Sequence, residues 1–452
     1  MGKYLKLFNT HIEYQAFTKT SDFIKPNVSH CIAENHVHYN PIPDYSKEYL
    51  TFVAKESGTF KLSRNAVSYS LDNGETWTEL AAATASPTVT AGNKIIWKGE
   101  LTPTSWNGIG TFSATGNFDV QGNVMSLLYG DNFNGKTDLT GTVTAFYRLF
   151  NNNTKLIDAK NLSLPATTLA DNCYNSMFFG CTGLTTAPEL PAQTLATYCY
   201  IDMFNGCTSL TTAPELPATT LESSCYSNMF YGCSSLTTAP VLPAQTLTEA
   251  CYSGMFSECT SLVNAPQLPA TTLVTACYSG MFHGCTSLTT APELLVETLD
   301  EGCYRDMFSE CTSLVNAPSL PATTLAHGCY DSMFYGCTSL VNAPELPATT
   351  LADECYSDMF EGCTNLTTAP DLPATTLVTR CYSRMFQDCT KLNYIKAMFT
   401  TRPSGSSPNY YTQNWVSGVA SSGTFVKNAA ATWNVTGVNG VPSGWTVETA
   451  SA

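Results

Sequence analysis

The chain has 452 residues, 43% of them hydrophobic and only 13% charged, with a formal net charge of −15. Its acidity is concentrated: residues 165–392 hold 21 acidic and 4 basic residues, a net of −17, against 15 and 17 in the remainder. Such a surface argues against nucleic-acid binding, which needs basic side chains to displace counterions, and no apolar run approaches the ~18–20 residues of a membrane span.

Residues 1–46 read as a leader or anchor. Met1–Phe8 has a basic start but no apolar core of secretory length and no small-residue cleavage site. Unless a leader has been trimmed, the chain is expected to start in a cytoplasm and could leave by cell lysis. YLKLFNTHIEYQAF is amphipathic. His30, Cys31, His36 and His38 form H-C-x4-H-x-H, and His36 and His38 would share one face of a strand, half of a zinc site. Their spacing is irregular and no second Cys/His pair stands nearby, so metal is the weaker reading and no cofactor is called for.

Residues 47–120 read as a small all-β sandwich. Alternating runs flank a turn at Asp72-Asn73-Gly74, a hairpin signal. Ser70–Trp77 (SLDNGETW) fits the Asp-box pattern S-x-D-x-G-x-x-W, in which Ser and Asp oxygens satisfy local amides. A single copy favours a structural turn over a sugar-processing site. In residues 121–164, Gly130–Thr137 (GDNFNGKT) fits the phosphate-loop pattern. It is better explained as a degenerate repeat, because FNGKTDL and Phe150–Leu156 (FNNNTKL) both align with Phe178–Leu184. These segments are expected to cap the N-terminal end of a repeat array.

Residues 165–397 repeat with a period of 26, nine times. One copy, Leu346–Asp371, reads LPATTLADECYSDMFEGCTNLTTAPD. A fixed period of this size means stacked units that cannot bury their apolar faces alone. The expected fold class is an α/β solenoid of short strands and short helices, closed by residues 398–452. Cys, Met, Phe and Cys at i, i+4, i+5 and i+8 would share one face of a short helix over CYSDMFEGC, with extended stretches near LTTAPEL and PATTL. Leu184, Ala187, Leu190, Leu195, Cys199, Met203, Phe204 and Cys207 are expected inside. The two cysteines of a copy would lie ~12 Å apart along a helix, too far to bridge. Buried thiols are the preferred reading of the eighteen repeat cysteines, with disulfides between neighbouring coils as the alternative.

Copies of the form MFxGCTSLTTAPELPATTL resemble the BspA-like leucine-rich repeat, with its aromatic-x-x-Cys-x-x-Leu core and Leu-Pro step. The leader (YLKLFNT, KPNVSHC, VHYNP), the SYSLDNGETW hairpin and the C-terminal NWVSGV, GTFVKN and VPSGWTV resemble segments that accompany such repeats in surface proteins of gut Bacteroidales and their phages. The resemblance implies that the α/β solenoid is of leucine-rich-repeat type and used for adhesion, and it implies no catalytic residue. In one copy Leu295-Val296-Glu297 replaces Pro-Ala-Thr, where the coil is expected to bulge.

Positions that vary between copies are the ones the fold leaves free. The residue after each Met-Phe is Phe179, Asn205, Tyr231, Ser257, His283, Ser309, Tyr335, Glu361 and Gln387, and the triplet before each Cys-Tyr includes His327 and Arg380. Phe179, Tyr231, His283, His327, Tyr335, Glu361 and Arg380 are therefore the candidate ligand contacts, against the plainer reading of drift at solvated positions. Tyr174 and its equivalents recur in every copy and read as packing residues. The functional expectation is a non-enzymatic adhesion or receptor-binding protein, a phage fibre or virion-surface component binding host-surface glycan or protein, with residues 1–46 contacting an anchoring partner. A bacterial cell-surface adhesin is the alternative, homo-oligomerisation stays open, and glycan processing and scaffolding are lesser readings.

Overall fold

The computed structural model describes residues 4–8, 11–15, 44–103 and 107–450. The chain divides into two compact units, Met1–Asp44 and Tyr45–Ala452. In the first, β1 (Tyr4–Phe8) and β2 (His11–Gln15) pair antiparallel, with Tyr4 opposite Gln15 and Phe8 opposite His11. His30, Cys31, His36 and His38 lie outside the described residues.

The second unit opens with β3 (Leu50–Ala54), β4 (Phe60–Leu62), β5 (Val67–Ser70), β6 (Thr78–Leu80), β7 (Lys94–Lys98), β8 (Phe112–Ala114) and β9 (Phe118–Asn123). A single-turn helix α1 (Ser126–Tyr129) and β10 (Leu156–Ser163) follow. One six-stranded sheet runs β10-β9-β3-β7-β5-β6, and β4 pairs with β8 separately. Alternation explains the strands: Leu50, Phe52 and Ala54 of β3 and Phe118 and Val120 of β9 are buried. Phe52 sits 4.9–5.5 Å, ring to ring, from Phe60, Trp97, Phe112 and Phe118, so residues of both sheets share one aromatic core. β10 joins β9 in parallel, which makes the sheet mixed and carries it into the repeats, where Asp158 bridges Thr186. Gly122, at φ +81°, lets β9 pass: a Cβ there would lie 2.1 Å from the Tyr49 carbonyl oxygen.

The helix expected over CYSDMFEGC is absent. In the copy around Tyr174, alternate amides close turns of three residues (Cys173 to the Ala170 carbonyl, Met177 to Tyr174, Cys181 to Phe178) at 3.0–3.2 Å. The amides between them cross to the next coil: Tyr174 to Cys199, Ser176 to Ile201, Phe178 to Met203 and Gly180 to Asn205, at 2.7–3.0 Å. Asn172, Ser176 and Gly180, four residues apart, have φ of 57°, 53° and 68°, and a left-handed residue every fourth position forbids the i→i−4 bonds of an α-helix. The run of turns nevertheless buries the residues a helix would have buried. Leu184, Leu190, Leu195, Cys199, Met203, Phe204 and Cys207 are inside, and Ala187 is half-buried against the core.

Two aromatic ladders run through the core. Rings from Tyr174 to Tyr382 stack 5.8–6.2 Å apart and within 12° of parallel. Rings from Phe178 to Phe386 stack 5.4–5.8 Å apart. Phe146 and Phe150 extend these ladders into the degenerate N-terminal copy. Asn153, in the place of the second cysteine, donates to the Phe112 carbonyl at 3.1 Å and so ties the ladder end to the sheet. At the other end Trp415 closes both ladders, 6.2 Å from Tyr382 and 6.1 Å from Phe386. There β11 (Tyr394–Ala397), β12 (Thr424–Lys427) and β13 (Thr446–Thr449) form a parallel three-stranded sheet. The extended stretches of the repeats appear as single parallel bridges, such as Thr186 to Thr212 and Thr194 to Thr220. Around Leu295-Val296-Glu297 the cross-coil bonds persist: Thr298 bridges Thr324, and the Leu299 amide donates to Thr324 at 3.0 Å. Any bulge at Leu295 therefore leaves the register of that coil intact.

Candidate functional site

The period of 26 places equivalent residues of successive copies side by side, so the variable positions become rows along the stack. In the row after Met-Phe, Tyr231 and Tyr335 are 40% and 38% exposed, while Phe179, His283 and Glu361 are half-buried. Ser257 and Ser309 of the same row are buried. Its aromatic rings are thus separated by small or polar neighbours.

The row before Cys-Tyr brings two more candidates together. His327 faces Glu301 through Nδ1 at 3.7 Å and Glu354 through Nε2 at 3.7 Å. Arg380 takes the other oxygen of Glu354 at 3.1 Å and lies 5.8 Å from the Tyr410 ring centre. His283 meets Glu258 at 3.6 Å. His327 and Arg380 therefore belong to one ladder in which acidic and basic side chains alternate, Glu301, His327, Glu354 and Arg380, and the remaining candidates stand apart from it.

Glu361 lies in a second network. Gln387 Nε2 donates to its Oε1 at 2.9 Å, Arg384 Nε lies 3.5 Å from its Oε2, and the Arg384 guanidinium also grips Asp358, with Nη2 donating to Oδ2 at 3.0 Å. Burial pushes the Glu361 carboxyl up to about 7, and the hydrogen bond and charge of Asp358 add to it. Burial alone would raise Asp358, but hydrogen bonds from Arg384, Glu361 and Ser357 outweigh it and hold that carboxyl below its usual value. On an adjacent coil, burial raises Asp331 to about 6 although Arg305 Nε lies 3.3 Å away. Asp331, Asp358, Arg384 and Gln387 were not among the candidates. A sequence signal existed for all four: Arg384 and Asp358, Gln387 and Glu361, and Asp331 and Arg305 each differ by 26 in number.

The other motifs resolve into structure. Ser70 Oγ donates to Asp72 Oδ1 at 2.6 Å and accepts from the Gly74 amide at 2.9 Å, while Asp72 accepts from the Thr76 amide at 2.9 Å. These bonds, from Ser70 first and then Thr76, hold Asp72 down to about 2. Trp77 packs on Tyr49 at 5.1 Å beneath the Lys98 ammonium. The GDNFNGKT stretch begins as a 3-10 turn at Gly130–Asn132. Its Asp131 accepts from Tyr49 Oη and Lys98 Nζ, each at 2.7 Å, and Phe133 is buried. Asp131 and the Asp-box Trp77 thus meet around Tyr49 and Lys98.

The repeat thiols are free and buried. Cys181 Sγ donates to the Phe150 carbonyl at 3.0 Å, and its equivalents repeat that bond from Cys207 to Cys389. Burial pushes Cys181 up to about 12, which leaves an unreactive thiol. Among the described residues no group of three or more His, Cys, Asp or Glu is arranged to hold a metal, and no helix is long and apolar enough to cross a membrane.

The family described as BspA type leucine rich repeat region matches residues 171–315 and 304–413, in six copies. No curated protein matches the chain.

Proposed function

The chain belongs to the BspA-type leucine-rich repeat family, and on that premise we propose that it is a non-enzymatic adhesion or receptor-binding protein. Its nine 26-residue units wind as one solenoid between an N-terminal β-sandwich and a C-terminal cap, and the solenoid contacts glycan or protein on a host cell. We place it on a phage fibre or virion surface, anchored through residues 1–46. The observation that carries this reading is the division of labour inside each copy. Tyr, Phe, Met, Leu and Cys recur and are buried, while the residues that differ lie in rows that are half-buried or exposed, except where a small residue, such as Ser257 or Ser309, stands in the row. A repeated core with a varied skin is what a modular binding surface requires.

The intact chain is the reagent for the test. A division between Gly116 and Val124 would remove β9, which lies between β3 and β10. Labelled chain is added to gut bacterial cells with and without capsule. Saturable binding that weakens severalfold in Tyr231→Ala/Tyr335→Ala supports the reading; no saturable binding to any strain argues for scaffolding. Family membership fits a bacterial cell-surface adhesin equally well. Mass spectrometry of purified phage particles separates the two, because only the virion protein is recovered there.

A further inference from the structure

Beyond these variable rows, the stack carries a second surface. Each copy turns a corner at Pro-x-Leu-Pro, and the x position is Glu189, Glu215, Gln267, Glu293, Ser319, Glu345 or Asp371, all exposed. Two copies break this pattern. Val241 stands at x and is 79% exposed; Leu295 replaces the second proline and is 68% exposed. They are the most exposed large apolar side chains among the described residues.

Both sit in clefts. The first, of about 360 Å³, lies between the corners at Pro214 and Pro240 and is lined by prolines, Leu216 and Val241. The second, of about 330 Å³, lies between the corners at Leu268 and Leu295. Glu215 borders the first, and Glu293 and Glu297 the second. Among the described residues none of these three carboxylates is in an ion pair. The variable rows differ, since Glu301, Glu354 and Asp358 there meet His or Arg.

From this charge pattern we infer that the corner edge between Pro214 and Glu297 is a docking surface for an extended, basic polypeptide segment of a partner protein. Apolar side chains of the segment fill the two clefts, and its Lys or Arg residues meet Glu215, Glu293 and Glu297. The clefts are two coils apart, about 10 Å at strand spacing, which a segment in the extended polyproline II conformation covers in about three residues, one full turn that brings i and i+3 to the same side. The occupant therefore carries apolar anchors at i and i+3 with basic residues around them. A stack of net charge −17 over residues 165–392 repels acidic competitors and attracts such a segment in a salt-dependent way.

The test uses the intact chain and a fluorescein-labelled peptide, Lys-Leu-Lys-Lys-Leu-Lys, read by fluorescence anisotropy at two salt concentrations. Val241→Gln and Leu295→Pro restore residues that other copies carry in the same places and add no charge, so the double variant keeps the fold and the electrostatics of the edge. Saturable binding is expected, weaker at high salt and at least tenfold weaker in the double variant or when serines replace the peptide leucines. Val315→Thr, at an exposed valine elsewhere, leaves it unchanged. Equal binding to the double variant, equal binding of the serine peptide, or no binding to the wild-type chain overturns the inference. A wild-type dimer in sedimentation that the double variant dissolves would assign the edge to a second copy instead, and so overturns it too.

Discussion

At the scale of single residues, the tyrosine ladder separates two contributions that usually travel together. Each ring is buried and stacked on both sides, yet the hydroxyls of Tyr174, Tyr252, Tyr278 and Tyr356 have no partner among the described residues. A buried polar group without a partner costs free energy, whereas its ring contributes through burial and packing. Tyr278→Phe is therefore expected to leave stability unchanged or raise it by up to ~1 kcal/mol, while Tyr278→Ala costs ~3–5 kcal/mol; denaturant midpoints of the two variants decide. Glu361 gives a second residue-level expectation. Its carboxyl rises from an ordinary 4.5 to about 7 on folding, chiefly through burial. The folded chain then holds the extra proton between those two values. The contribution of this group to stability is fully present below about pH 4.5 and is lost as pH rises towards 7. Glu361→Gln removes this contribution to the slope and gains about 1 kcal/mol at pH 8, solvent screening allowed for. Unfolding of both proteins at pH 5 and pH 8 checks it, and equal slopes would contradict the proton held near Asp358.

At the scale of the element, the turn ladder shows what could be read from sequence and what could not. The inward set Cys199, Met203, Phe204 and Cys207 was legible, because recurrence and spacing fix which side chains share a face. The backbone carrying them was not. Offsets of 4, 5 and 8 fit a 3.6-residue helix and equally a run of four-residue turns, and nothing local chooses between them. The choice is made between coils, by amides such as that of Tyr174 reaching Cys199. Similarly, the rows holding Tyr231 and Tyr335 were legible as variation, but the charge ladders needed lateral neighbours to be considered. A substitution distinguishes the two backbones by sign. Ser332, inside the segment expected to be helical, has φ 56°, and its equivalents two and three copies earlier are Gly280 and Gly254 at 60° and 62°. In a helix Ser332→Gly would cost ~0.5 kcal/mol. In the turn ladder it relieves a left-handed serine, so it is expected to be neutral or to stabilise by up to ~1 kcal/mol. A thermal melt that drops instead would favour the helix.

At the scale of the whole repeat region, stability is a sum of copies and of the contacts between neighbours rather than the property of one centre. Between the end caps each ladder ring stacks on the ring before and the ring after, and the cross-coil bonds join residues 25 apart, such as Phe178 and Met203. Removal of one full period should therefore leave both ends intact. Deleting residues 242–267 joins Val241 to Leu268, brings the Tyr226 ring onto Tyr278 and keeps the sheet and Trp415 as closures. That chain is expected to fold, to unfold in one transition and to melt only a few degrees lower, since each interface it keeps already exists. Deleting residues 242–254, half a period, places inward residues of one coil against outward residues of the next. Orphaned amides and exposed Tyr and Phe rings should then prevent folding. Circular dichroism and melting of the two deletions test this directly. If the full-period deletion collapses as the half-period one does, the copies are not interchangeable units, and a core that depends on all of them together replaces the additive stack.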